Sequence, residues 1–176
     1  MIEECPLPKH YIWYAKESNR AAEFLLQPNN EVLNSASFAI SIGLSFHAIE
    51  LCGKAMLRSL GDLQNKISKE HSKHELLNLL ESVEQRLSIH SDAKAQGVKD
   101  FLLYEPVVNG KRLGETIKSY LQTHLSSKKE ARPRNYLYPD NETFIGPKSI
   151  STIHVIAEHI IESAIELCSI LGHEVP

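Results

Sequence analysis

The sequence predicts an all-α, up-and-down bundle of five to six helices. Three observations support this prediction. Apolar residues recur at intervals of three and four along most of the chain, glycines and prolines separate these segments, and no segment alternates like a half-buried strand. The chain has 176 residues, which is within the usual range of one domain. We therefore expect a single helical domain over residues 1–176.

The first helix is predicted over Tyr11–Leu26, where apolar residues recur at mostly helical spacing. The second is predicted to begin at Val32, and from there to Gly53 its only formally charged residue is Glu50. A helix that is apolar almost all round is typical of a buried, central position. Its length would also span a membrane, but several polar residues such as Asn34 interrupt it, so we expect no membrane span.

Small side chains form a stripe along one face of the second helix. A stripe of this kind lets another helix approach closely. Its members are Ser37, Ser41, Ser45, Ala48, Cys52 and Ala55.

Turn and capping signals divide the rest of the chain. Gly61 ends the second helix, and the SxxE pattern at Ser72 to Glu75 is typical of a capping box that begins the third. Ser91 and Asp92 can cap a further segment that runs to Leu103, and Asn109 with Gly110 indicates a turn. The apolar rows that follow these signals are Leu76, Leu80, Val83 and Leu87, then Leu113, Ile117, Leu121 and Leu125.

The last helix is predicted over about 149–171, with Gly172 as its end. Its glutamates Glu158, Glu162 and Glu166 recur every four residues. A di-iron bundle needs an ExxH step on each of two helices, and the chain contains none. We therefore expect a solvated row of glutamates, with no metal and no cofactor.

Composition limits the compartment and the partners. The formal net charge is −3, from 19 Lys and Arg against 22 Asp and Glu, so the whole chain does not attract nucleic acid or an anionic membrane. Cys5, Cys52 and Cys168 lack CxxC spacing, and two of them lie in helical apolar patterns, which indicates buried thiols in a reducing compartment. The acidic, proline-containing amino terminus is unlike an export signal, so we expect a cytoplasmic location.

A long loop before the last helix, residues 126–148, holds the residues that point to chemistry. Its ARPRNYLYPD stretch at 131–140 combines arginines with tyrosines. Guanidinium groups bind phosphates in a two-pronged way, and tyrosine rings stack on unpaired bases. The alternative is a solvated charge run whose tyrosines pin the loop to the bundle.

Three segments in this order resemble the HEPN superfamily. They are FHAIELCGKAMLRSLG at 46–61, HSKHELLNLL at 71–80 and RNYLYPD at 134–140. The similarity covers about residues 34–171, which we take as the core of a HEPN-like domain. The resemblance implies a helical domain that binds RNA or nucleotides. Many members are metal-independent ribonucleases of toxin, phage-defence and RNA-processing systems.

The family's ribonuclease motif is incomplete in this chain. Active members usually carry an arginine, often followed by asparagine, with a histidine four to six residues after the arginine. Arg134 and Asn135 match, but Pro139 stands at the histidine's position in the RNxxxH form. The resemblance therefore implies a binding surface, while ribonuclease activity requires a histidine from elsewhere, such as His124.

The candidate site follows from these matches. Arg134 would contact a phosphate, Asn135 and Tyr138 would position it, and Arg132 would add an accessory charge. Glu50 and Lys54, four apart on the second helix, would hold Arg134 in the orientation that contacts the phosphate. The alternative for these two is a partly exposed structural ion pair.

Function and partners are expected as follows. We expect RNA or nucleotide binding in a toxin–antitoxin, phage-defence or regulatory setting. The alternatives are a metal-independent endoribonuclease and a protein–protein interaction module. A homodimer is expected, partly from the resemblance and partly from the small-residue stripe. The resemblance also implies a cognate antitoxin or nucleotidyltransferase as a partner.

Overall fold

The computed structural model describes residues 6–26, 35–70, 76–124 and 147–176, and these form an all-α bundle, which confirms the predicted class. The described residues contain seven α-helices, of which α3 and α5 are short. A 3-10 helix at Val98–Leu103 and a two-stranded hairpin lie between α5 and α6. The α-helices are α1 (Pro8–Leu26), α2 (Ser35–Ser59), α3 (Gln64–Glu70), α4 (Leu76–Ser88), α5 (Ala93–Gly97), α6 (Ile117–His124) and α7 (Pro147–Ile170).

Helices α1 and α2 form an antiparallel pair. The Ser45 hydroxyl donates to the Asn19 side-chain oxygen over 3.0 Å, and the Ser41 hydroxyl donates to the Ala22 carbonyl over 2.9 Å. Both serines are buried. The small-residue stripe of α2 therefore admits another helix, as predicted, but that helix is α1 of the same chain. The stripe no longer supports a homodimer, because α1 already covers these serines.

Helices α4 and α7 complete the core around α2. A Cβ atom at Gly53 would lie 2.8 Å from Leu79 Cδ2, so α2 and α4 approach more closely than two side chains would allow. Cys52 of α2 and Cys168 of α7 are both buried free thiols, as predicted. Apolar residues of α7 face this core, namely Ile153, Ile156, Ala157, Ile160, Ile161, Ala164 and Leu167.

Residues 40–59 of α2 are long and apolar enough to cross a membrane, but 78% of this stretch is buried inside the protein. Burial of this extent is also typical of the core helix of a bundle.

Several predicted helix ends agree with the structure. Gly61 and Gly172 follow α2 and α7 with φ of 91° and 75°, the left-handed conformation that commonly ends a helix. The Asp92 side chain accepts hydrogen bonds from the Lys94 and Ala95 backbone N–H groups, so it caps α5. The predicted capping box at 72–75 lies outside the described residues.

A small antiparallel hairpin is the departure from helix among the described residues. Strand β1 (Val107–Val108) pairs with β2 (Lys111–Arg112). Asn109 and Gly110 join them, both with positive φ, which fits a primed hairpin turn. The turn itself was predicted from these two residues. The strands were not, because two residues are too few to show alternation.

Candidate functional site

The predicted loop residues lie outside the described part of the chain. These are Arg132, Arg134, Asn135 and Tyr138. Helix α6 ends at His124 and α7 begins at Pro147, so these helix ends flank the segment in sequence. The His124 side chain also lies outside the description. Of the predicted site residues, the structure therefore brings together Glu50 and Lys54.

Glu50 and Lys54 form the predicted ion pair on α2. Lys54 Nζ lies 2.6 Å from Glu50 Oε1. Glu50 is only 4% exposed, whereas the Lys54 side chain is partly accessible. A carboxylate taken out of water loses several kcal/mol of hydration free energy. The attraction of a partner charge often does no more than offset this loss. This pair is therefore a costly feature in an otherwise apolar helix.

The ion pair belongs to a longer row that we name the polar stripe of α2. It consists of His47, Glu50, Lys54 and Arg58, whose spacing of three, four and four residues puts them on one face of the helix. His47 is exposed, and Arg58 is partly buried. The Arg58 guanidinium donates to the Asp62 carbonyl over 2.7 Å. The stripe thus runs along α2 from an exposed imidazole to its carboxyl end.

The sequence contained a signal for this stripe that the helical pattern obscured. The predicted second helix extends to Gly61, so all four residues lie on it, but only Glu50 and Lys54 were predicted to act together. The spacing of polar residues along one long helix would have identified the row.

The chemistry of the polar stripe suits anions and proton transfer. An imidazole titrates near neutral pH, and arginine and lysine stabilise phosphate oxygens. A carboxylate beside a lysine fixes the position of the ammonium group. Within the described ranges, no three His, Cys, Asp or Glu side chains come close enough to hold a metal ion. Glu158, Glu162 and Glu166 are exposed on α7, which confirms the solvated row.

A second set of charges, at the carboxyl end of α2, serves the fold. Asp62 accepts from Lys66 Nζ over 3.2 Å and also binds the Arg86 guanidinium. Arg58 reaches the backbone of the same residue. These contacts join α2, α3 and α4. Within the polar stripe, Arg58 is therefore engaged in holding three helices together.

His159 of α7 lies against the segment that follows the 3-10 helix. Its ring stacks on Tyr104, with centroids 3.9 Å apart and planes 11° from parallel. Burial lowers the pKa of His159, against a hydrogen bond to the Phe101 backbone and the nearby charges of Glu162 and Glu166, which raise it. The contact ties the 3-10 segment to α7. Sequence spacing could not reveal it, because the two rings are distant in the chain.

Comparisons with protein-family models, with curated proteins and with solved structures found no match for this chain.

Proposed function

We propose that the chain is a cytoplasmic HEPN-like protein that binds RNA or nucleotides within a toxin, phage-defence or regulatory system. The observation that carries the proposal is the buried Glu50 carboxylate, held by Lys54 on the polar stripe of α2. The all-α bundle agrees with the fold that the HEPN resemblance implies. Arg134 makes the phosphate contact in this proposal, with Asn135 and Tyr138 positioning it and Arg132 adding charge.

The energetic argument starts from the cost of Glu50. Buried charges persist where they have partners, and replacing such a pair by apolar residues is often neutral or stabilising. A fold built for stability alone would place an apolar residue at position 50, as at the neighbouring Ile49 and Leu51. The polar stripe therefore favours a functional role, in which Glu50 orients a cation that contacts the ligand.

Local charge supports the same ligand. The whole chain carries −3, so a polyanion must be bound by a local group of cations. Residues 126–134 contain Lys128, Lys129, Arg132 and Arg134 against Glu130 alone. Arginine is the side chain best suited to two-pronged phosphate contact.

Fluorescence anisotropy with a labelled single-stranded RNA, at several salt concentrations, tests the proposal. Arg134→Ala should weaken binding by about tenfold and reduce the slope of log affinity against log salt by about one, because one phosphate contact is lost. Arg134→Lys should keep the salt slope and lose part of the affinity. Lysine keeps the positive charge but cannot make the two-pronged contact of a guanidinium group.

Lys99→Ala is the matched control, because Lys99 is exposed on the 3-10 segment and belongs to neither the stripe nor the loop. It should leave affinity and salt slope unchanged. Equal affinity of wild type and Arg134→Ala at every salt concentration would reject the assigned role. A complete lack of RNA and nucleotide binding would instead favour the protein–protein interaction module.

A ribonuclease is the second candidate, and exposed His47 on the polar stripe favours it. The family's histidine is replaced by Pro139, so a base must come from another element, and His47 shares a helix face with Glu50 and Lys54. The imidazole would take the 2′-hydroxyl proton, the 2′-oxygen would attack phosphorus, and the 5′-oxygen would leave with a proton, giving a 2′,3′-cyclic phosphate. His124 remains the alternative source of this base.

Incubating the wild-type chain with RNA and EDTA separates these possibilities. Cleavage that His47→Gln abolishes and His124→Gln leaves intact would assign the base to His47. The reverse pattern would assign it to His124. RNA that stays intact between pH 5 and pH 9 would eliminate the enzyme and leave the binding protein.

A further inference from the structure

The outward face of α1 carries large apolar side chains where a surface helix usually presents polar ones. Trp13 is 50% exposed and Phe24 is 61% exposed. Between them, on the same face, lie the exposed Glu17 and Arg20. We name these four residues the outer stripe of α1. They lie opposite the buried face of the helix, which consists of Tyr11, Ile12, Ala15, Asn19 and Ala22.

The outer stripe of α1 is complementary to itself. Its spacing of four, three and four residues is the same in both directions. If two copies of α1 pack antiparallel about a twofold axis midway between Glu17 and Arg20, Trp13 faces the partner's Phe24. Glu17 then faces the partner's Arg20, and the same contacts recur on the other side of the axis. Apolar residues therefore meet apolar residues, and opposite charges meet.

Two further observations fit a surface prepared for contact. Glu17 and Arg20 take part in no ion pair within the described residues. The Trp13 ring packs edge-on against Tyr14, with centroids 4.8 Å apart, which limits the rotamers of the indole before any partner arrives. Ordering it on binding therefore costs less entropy.

We propose that the outer stripe of α1 joins two copies of this chain into an antiparallel, twofold-symmetric dimer. A second copy is the occupant because apolar and oppositely charged residues are placed symmetrically about one point of the helix. A nucleic acid does not fit this face, since its exposed charges Lys16, Glu17, Arg20 and Glu23 sum to zero. The surface is independent of the proposed RNA site, because α1 contains none of the residues of the polar stripe or the loop.

The expected dimer is weak. Two single helices bury less than the roughly 800 Å² per partner of a standard interface. We therefore expect a dissociation constant on the order of 10 µM, so that monomer and dimer exchange within an ordinary concentration series.

Sedimentation velocity of the full chain, between about 1 and 200 µM, measures this equilibrium. Glu17→Arg places the new arginine against the partner's Arg20 in both symmetric contacts. Because like charges repel across an interface, the dissociation constant should rise at least about tenfold. Arg20→Glu should have the same effect. The double variant Glu17→Arg/Arg20→Glu restores both pairs with reversed sign, and should recover the wild-type constant to within about threefold.

Mixing the two single variants is the sharpest arm of the experiment. One variant then carries two positive charges at these positions and the other carries two negative charges. The mixture should associate one to one, although neither variant associates alone. Glu166→Arg, the same charge reversal on the exposed face of α7, is the matched control and should leave the equilibrium unchanged.

Trp13 supplies an independent readout, since it is the only tryptophan in the chain. Its emission should move to shorter wavelength as concentration rises, and Trp13→Ala should weaken association. A chain that stays monomeric throughout the series would overturn the proposal. A dimer that ignores both charge reversals would also overturn it, because another surface would then join the copies.

Discussion

At the scale of single residues, the packing of α2 on α4 depends on the missing side chain at Gly53. A Cβ atom there would lie 2.8 Å and 2.9 Å from two carbons of Leu79, distances shorter than van der Waals contact. Glycine within a helix usually costs up to about 1 kcal/mol relative to alanine. The close approach of the two helices is therefore gained at the expense of local helix stability.

Gly53→Ala should destabilise the protein, because the cost of overpacking, about 1–3 kcal/mol, exceeds the gain in helix propensity. Gly97 provides the matched control, since it has helical φ and no atom within 4 Å of an added Cβ. Gly97→Ala should stabilise by about 0.5–1 kcal/mol. Urea unfolding followed by circular dichroism measures both changes. A stabilised Gly53→Ala variant would mean that Leu79 moves aside freely.

The same scale shows which site contacts can be predicted from sequence. The Glu50–Lys54 ion pair was predictable because residues four apart on a helix are neighbours wherever the helix packs. The stacking of Tyr104 on His159 was not, because it depends on how the 3-10 segment folds back onto α7. The pair of thiols Cys52 and Cys168 was predictable in part. The burial of each thiol followed from the apolar pattern of its helix, but their proximity could be seen only in the folded structure.

At the scale of elements, long periodic helices were predicted and short ones were missed. The sequence pattern gave no sign of α3 as a separate helix, since its seven residues contain one buried position, Ile67. Gly61 was predicted to end the second helix, and in the structure α2 ends at Ser59, just before it. Charge returns within the helix at Lys54 and Arg58, which lie on its partly accessible face. The glycine therefore indicated the helix end, whereas the return of charge indicated a change of face.

The contact between the 3-10 segment and α7 should make stability depend on pH. Burial holds the pKa of His159 below its ordinary value, so the unfolded chain binds a proton at higher pH than the folded one. The contribution of neutral His159 to the free energy of unfolding is therefore fully present above the unfolded pKa of about 6.5. This contribution is lost as the pH falls below that value. Protonation of His159 would also place a charge beside the buried face of α7.

Comparing wild type with His159→Phe isolates this effect, because phenylalanine keeps an aromatic ring against Tyr104 and does not titrate. Between pH 7 and pH 5, the unfolding free energy of wild type should fall more steeply than that of the variant. His10→Phe is the control, since His10 is exposed on α1. Parallel pH profiles for wild type and His159→Phe would contradict the assignment.

At the scale of the whole molecule, two thiols report whether α2 and α7 belong to one cooperative core. Cys52 and Cys168 are both buried. Burial raises the pKa of the Cys52 thiol, with a smaller contribution from neighbouring Cys168, and burial likewise raises the pKa of Cys168 against a hydrogen bond with Ser59. Since the thiolate is the reactive form, burial and raised pKa both protect these cysteines.

In a Cys5→Ser background, which leaves these two thiols, both should react with Ellman's reagent only after global unfolding. A typical domain stability of 5–15 kcal/mol would slow the reaction at least about a thousandfold relative to the unfolded chain. Across a urea series, thiol exposure should coincide with the loss of helical circular dichroism. If α7 opened on its own, Cys168 would react well before the helical signal falls and before Cys52. Labelling each cysteine in separate Cys52→Ala and Cys168→Ala variants distinguishes that outcome, because only a common opening gives both thiols the same rate.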